Sequence, residues 1–203
     1  MIKIAAFILP NKKTRIKILN LKKIVKKKFG KQPYISHPPH CTLFTMDVSN
    51  KVLKIKDDLK NIKIKSTSTN TLIVRNTGLF AKDPITGGKT IYLKIKKNFF
   101  LEELQLESLK YFFKYNSNKK KIKFKLGWMN KNNKKYGYPF VKNKWMPHFT
   151  IASLTNVLDE KKFIKNFLRK KIKCNELIKK IYIYKINKDK HIYLWSINIK
   201  LKK

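Results

Sequence analysis

The chain has 203 residues, enough for one domain with a sizeable core, and its 42% hydrophobic and 12% aromatic content excludes a disordered polyelectrolyte. A formal charge of +39 attracts anionic ligands at long range without selecting one. Among the 50 basic residues only Arg15, Arg75 and Arg169 are arginine, so the charge reads as readily as lysine-rich composition on a solvated surface as it does as a phosphate-reading face.

In chain order, Ile2 to Leu9 is expected to form a buried strand. It lacks the basic leader and small-residue cleavage site of a targeting segment. Thr14 to Phe29 has helical spacing, with Leu21, Ile24, Val25 and Phe29 on one face and Gly30 as its stop. After Pro38-Pro39 a strand is expected from His40 to Val48, then a helix around 52–62 and strands near 62–67 and 71–76. Gly87-Gly88 turns into a strand over Thr90 to Ile95. A helix over Phe99 to Tyr115 presents Leu101, Leu104, Leu109, Phe112 and Phe113. The lysine-rich insertion 116–144 suggests a mobile hairpin or lid. Beyond Pro147 come a strand over His148 to Leu154 and a helix opened by Asp159 and Glu160, with Phe163, Ile164, Phe167 and Leu168 as its stripe. Two alternating strands, about 178–186 and 191–201, close the chain.

Both halves therefore run strand, helix, strand, helix, strand, strand, and in both the second strand opens Pro-His-x-Thr followed by an aliphatic residue. The expectation is one domain over 1–203 with lobe-forming repeats at about 1–77 and 90–203. No apolar run approaches a membrane span. Cys41 and Cys174 have neither disulfide-framework nor metal-ligand spacing, which fits a reduced cytoplasmic protein, expected to be a monomer.

The repeated motif is His40-Cys41-Thr42-Leu43 and His148-Phe149-Thr150-Ile151. In a strand, His and Thr two residues apart share a face, about 6.6 Å apart, while the residues between them point into the core. Two histidines on opposite sides of one phosphorus can act as general acid and general base, since imidazole titrates near neutral pH. The hydroxyls of Thr42 and Thr150 can donate to the non-bridging oxygens where charge develops. A lone strand histidine is more often structural. Two matches with the same preceding proline and the same place in a repeat favour catalysis.

These segments, Pro39 to Phe44 and Trp145 to Ala152, resemble the paired signatures of the 2H phosphoesterase superfamily. That group includes RNA 2′,3′-cyclic phosphodiesterases, the so-called 2′-5′ RNA ligases, and enzymes acting on 2′-5′ oligoadenylates or cyclic nucleotides. The likeness covers most of the chain, including the first strand ending at Pro10 and the stretch Ile73 to Leu106. It implies an α+β, bilobal, pseudo-twofold fold in which two antiparallel-type sheets flanked by helices enclose a central cleft. It also implies an RNA or nucleotide substrate, no metal and no cofactor, with His40 as general acid and His148 as general base. The likeness fails at Trp145, where many bacterial members carry an arginine. That leaves a lysine to hold the phosphate, or Trp145 to stack on a base.

Phe7 and Tyr92, in matching first strands, join Trp145 as candidates for base stacking. His37 is read as a loop residue with a rim contact as the alternative, and His191, beside Asp189, as structural or solvent-facing. Besides a 2′,3′-cyclic phosphate or 2′-5′ end, the residues leave open a signalling cyclic oligonucleotide or another cyclic phosphate small molecule as substrate, and a basic RNA-binding protein whose cleft only binds.

Overall fold

The structure is a computed structural model that describes residues 1–55, 59–65, 70–117, 124–188 and 190–201. The first half supplies β1 (Ile2–Ile8), α1 (Lys12–Phe29), β2 (Cys41–Val48), a 3₁₀ turn (Asn50–Ile55), β3 (Asn61–Ile64) and β4 (Thr71–Phe80). The second supplies β5 (Lys89–Ile95), α2 (Phe99–Phe113), α3 (Gly127–Tyr136), β6 (His148–Leu154), α4 (Glu160–Leu168), β7 (Lys173–Leu177), β8 (Lys180–Asn187) and β9 (Lys190–Leu201). Of the helix expected over 52–62, the 3₁₀ turn accounts for residues up to 55, and 56–58 lie outside the described residues. So do positions 66 and 67 of the strand expected over 62–67, and Asp189. Strand β7 has no counterpart among the expectations: Leu177 is exposed and Glu176 is buried, so its side chains carry no apolar alternation.

Two sheets form, one ordered β2-β1-β8-β9-β3 and one β6-β5-β4-β7. Pairings are antiparallel except β3 with β9, which is parallel. Neither sheet comes from one half of the chain. β4 crosses to lie between β5 and β7, while β8 and β9 cross back to lie between β1 and β3. The helices cross as well, α1 packing on β6 and α2 on β2 and β3. The result is the expected α+β, bilobal, pseudo-twofold architecture, with its repeats interlocked rather than side by side.

Helix α1 starts where the Asn11 side chain accepts from the Thr14 amide at 2.9 Å. It stops at Gly30, whose φ of 68° a β-carbon would oppose. Its buried face is Thr14, Ile18, Leu21, Lys22 and Val25. Ile24, expected on that face, is instead 48% exposed, because one residue turns a helix by about 100° from Val25. Lys22 takes the place an apolar residue would hold.

Both motif strands are sheet edges, β2 in one sheet and β6 in the other, and they meet each other. An edge leaves backbone groups unpaired and invites further strands. Here side chains and loops cover it. Trp145 Nε1 donates to the Thr42 carbonyl at 3.1 Å, and the buried Gln105 Nε2 donates to the Leu43 carbonyl at 2.8 Å and the Phe140 carbonyl at 3.0 Å. On β6 the Ser153 amide donates to the Pro33 carbonyl at 3.1 Å, and just beyond the strand the Thr155 amide donates to Gln32 Oε1 at 2.9 Å.

The insertion is neither a hairpin nor a lid over its described part. It holds α3, closed by Gly137 at φ 73°, and then packs Val141 and Trp145 into the core. A β-carbon on Gly137 would meet Met46 Cε and Asn116 Nδ2 at 2.7 Å, so the turn is pressed onto β2. Positions 118–123 lie outside the described residues.

Gly78 on β4 faces Tyr92, and a β-carbon there would sit 2.4 Å from the ring. Gly78→Ala should therefore displace Tyr92 and destabilise the protein by about 1–3 kcal/mol, as overpacking does. A urea titration showing no change in midpoint would contradict that contact.

Candidate active site

The register places both motifs by the same device. In β1–β2 the pairing steps from Ala6↔Phe44 to Phe7↔Thr42, leaving Leu43 as an extra residue. In β5–β6 it steps from Ile91↔Ala152 to Tyr92↔Thr150, leaving Ile151 extra. A bulge of this kind bends the strand and re-aims its side chains. Cys41, Leu43, Phe149 and Ile151 are fully buried behind the motifs, as the alternation predicts. His40, Thr42, His148 and Thr150 all line one cavity of about 530 Å³ between the sheets. Burial pushes the Cys41 thiol up to about 12, so this cysteine anchors its strand and does not act as a nucleophile.

Each imidazole is fixed the same way. Nδ1 of His40 lies 2.7 Å from the Pro38 carbonyl, and Nδ1 of His148 lies 2.7 Å from the Met146 carbonyl. A carbonyl only accepts, so Nδ1 carries the proton in both neutral rings and Nε2 is the nitrogen that exchanges protons. Behind His40 the Phe7 ring stacks at 4.0 Å, with Tyr184 5.3 Å beyond it. Behind His148 the Tyr92 ring packs at 5.1 Å, with Phe80 stacked on it at 4.3 Å. Burial lowers the pKa of both histidines below the ordinary 6.5, and both carbonyl bonds oppose that shift.

The three residues expected to stack on a base are buried: Phe7 is 3% exposed, Tyr92 5% and Trp145 4%. Phe7 and Trp145 still line the cavity, and Tyr92 supports His148 while donating its hydroxyl hydrogen to Met146 Sδ at 3.3 Å. Their main contacts hold the motifs in place. Trp145, at the position where the resemblance fails, ties the second half to the backbone of Thr42.

Four further residues line the cavity: Lys22 and Asp83, which the sequence reading did not single out, His37, whose alternative reading was a rim contact, and His191, which was expected to be structural or solvent-facing. Lys22 donates to the carbonyls of Tyr34 at 2.6 Å and His37 at 2.9 Å, and burial lowers its pKa to about 8. His37 and His191 have ring centroids 4.7 Å apart, and His191 lies 5.1 Å from His40. Asp83, buried in the β4–β5 turn, accepts from the amides of Ile85 and Thr86 and from the Thr90 hydroxyl at 2.7 Å. The lysine stands on an apolar helix face, and β9 brings His191 to His40 only because β8 pairs with β1. Helical spacing could have exposed Lys22. Nothing local marks His191.

Among the described residues, no group of three or more histidine, cysteine or acidic side chains could hold a metal ion, and no helix is long and apolar enough to cross a membrane.

No family model and no curated protein matches the sequence. Solved structures do match over nearly the whole chain. TT0787 of Thermus thermophilus is 13% identical, with 99% of this chain and 100% of that one covered and a TM-score of 0.63. E. coli LigT complexed with NADP+ is 12% identical, covering 98% of each chain at a TM-score of 0.53. A structure described as a phosphoesterase gives the same figures, 12% identity, 98% of each chain and 0.53. The chain thus has the LigT-like bilobal fold that the paired motifs led one to expect.

Replacing Trp145 by Phe removes the donor to the Thr42 carbonyl and keeps most of the ring. The expected loss is about 1–3 kcal/mol, the range for leaving a buried acceptor unpaired. Denaturant unfolding that cannot tell Trp145→Phe from the unchanged chain would show that this bond does not support β2.

Proposed function

We propose that the chain is a 2H phosphoesterase: a metal-independent phosphodiesterase acting on nucleotide or RNA 2′,3′-cyclic phosphates or 2′-5′ linkages. The observation that carries it is the convergence of His40, Thr42, His148 and Thr150 on one cavity, each histidine held by the same carbonyl bond. With Nδ1 pinned, a neutral ring can take a proton at Nε2 and a protonated one can give it from there. One ring activates the attacking hydroxyl while the other protonates the leaving oxygen. The threonine hydroxyls supply donors to the equatorial oxygens. Two further features fit a nucleotide: apolar walls from Phe80, Pro84, Ile85 and Phe140 suit a base, and exposed Lys3, Lys82 and Lys144 around the cavity suit its phosphates. LigT, of the same fold, has been crystallised with NADP+. The interlocked sheets support treating residues 1–203 as one domain.

The test is turnover of 2′,3′-cyclic AMP and 2′-5′ oligoadenylate in EDTA, with cyclic dinucleotides in the same panel. Full activity is expected in the chelator. His40→Ala and His148→Ala should each lower the rate by about 10²–10⁴-fold, and Thr42→Val or Thr150→Val by about 10²–10³-fold. An undiminished rate in either histidine variant overturns the proposal.

The pH profile carries a sign. Turnover needs one ring protonated and the other neutral. Both free-enzyme pKa values are lowered, so the bell for kcat/KM should be centred on the acid side of 6.5. A bell centred above neutrality contradicts the burial of these rings.

A further inference from the structure

The two ends of the cavity have matching backbones but different electrostatics. Around His40 stand groups that are, or become, positive: Lys22 from α1, His37 from the loop before β2 and His191 from β9. The Lys22 ammonium cannot swing to solvent, since the Tyr34 and His37 carbonyls hold it and the residue is 4% exposed. The other neighbours of this corner, Phe7 from β1 and Tyr184 from β8, are uncharged aromatics.

Around His148 the neighbours are the rings of Phe80 from β4 and Tyr92 from β5, and the carboxylate that lines the cavity with it is Asp83, in the turn between those two strands. Two backbone amides and the Thr90 hydroxyl immobilise that carboxylate, and Tyr34 reaches it from the opposite side at 3.4 Å. Lys3, Lys82 and Lys144 also line the cavity, but all three are exposed and screened by solvent and salt.

Nearby cations disfavour an imidazolium and a nearby carboxylate favours one. From this charge pattern we infer that the working proton rests on His148, so that His148 is the general acid and His40 the general base, the reverse of the roles that the family resemblance implies. In the step itself, His40 Nε2 takes a proton from water and the water oxygen bonds to phosphorus. The bond from phosphorus to the ribose oxygen breaks, its electron pair stays on that oxygen, and the oxygen takes the proton from His148 Nε2. The products are a phosphomonoester and a free hydroxyl. His40 is then protonated and His148 neutral, and exchange with solvent through the open cleft restores the starting state.

This inference rests on the phosphodiesterase reading, and one pair of substrates separates the two. The first is 2′,3′-cyclic AMP, whose leaving alkoxide needs a proton. The second is a nucleoside p-nitrophenyl phosphodiester, whose phenolate leaves without one. His148→Ala should lose at least about 10²-fold on the cyclic phosphate, the usual scale for a lost general acid, yet stay within about tenfold of the unsubstituted protein on the aryl ester. His40→Ala should be impaired on both.

The opposite pattern, or equal impairment of the two variants on the aryl ester, overturns the assignment and leaves the phosphodiesterase reading intact. An unsubstituted protein inert on both esters and on 2′-5′ oligoadenylate overturns the phosphodiesterase reading itself. Proton NMR of the two imidazoles with inorganic phosphate present, assigned through the same variants, tests the roles without turnover. His148 must titrate at higher pH than His40, and the reverse order overturns the inference even if the aryl ester is not a substrate.

Discussion

Both strands that carry the motif are sheet edges, and the rest of the structure is arranged around that fact. A cavity open between two sheets needs two edges that face each other without pairing, yet an edge exposes amides and carbonyls that would pair if they could. The chain resolves this by satisfying the edges from the side. Trp145 and Gln105 take the carbonyls of Thr42 and Leu43, while Pro33 and Gln32 accept from the amides of Ser153 and Thr155. The bonds that protect each edge come from the other half of the chain, so the cleft is held open and its walls are fixed by the same contacts.

The interlocking of the halves follows the same logic. β4 joins β5, and β8 and β9 join β1, so each half of the cleft is backed by strands from both repeats. The bulges at Leu43 and Ile151 and the carbonyl bonds to His40 and His148 are duplicated almost atom for atom. That duplication fixes which ring nitrogen is available at both sites. It does not make the sites equivalent, because the side chains beyond the first contacts differ: Lys22, His37 and His191 on one side, Asp83 and Phe80 on the other. A symmetric scaffold thus presents two like groups in unlike fields.

Trp145 stands where the resemblance of the motifs breaks off, and its contacts explain what it does there. The indole is too buried to serve as an open stacking platform, and its N–H secures the backbone of the opposite motif. The insertion that precedes it does related work. Gly137, Tyr138 and Phe140 close the flank of β2 and of the cavity, so a segment whose composition suggested mobility is part of the wall.

What the sequence determined by itself was local and periodic. The alternation around His40 and His148, the stop at Gly30 and the repeated element order are set by neighbours along the chain, so the strands, helices and motif faces were legible. The tertiary structure alone decided what depends on distant pairing. Ile24 turned outward and Lys22 inward because α1 meets β6. β7 formed without an apolar pattern because β4 offered it an edge, and His191 reached His40 because β8 chose β1. Those outcomes rest on pairings and contacts between residues near opposite ends of the chain, as between Lys3 and Ile186 in β1 and β8, and no periodicity within a segment encodes them.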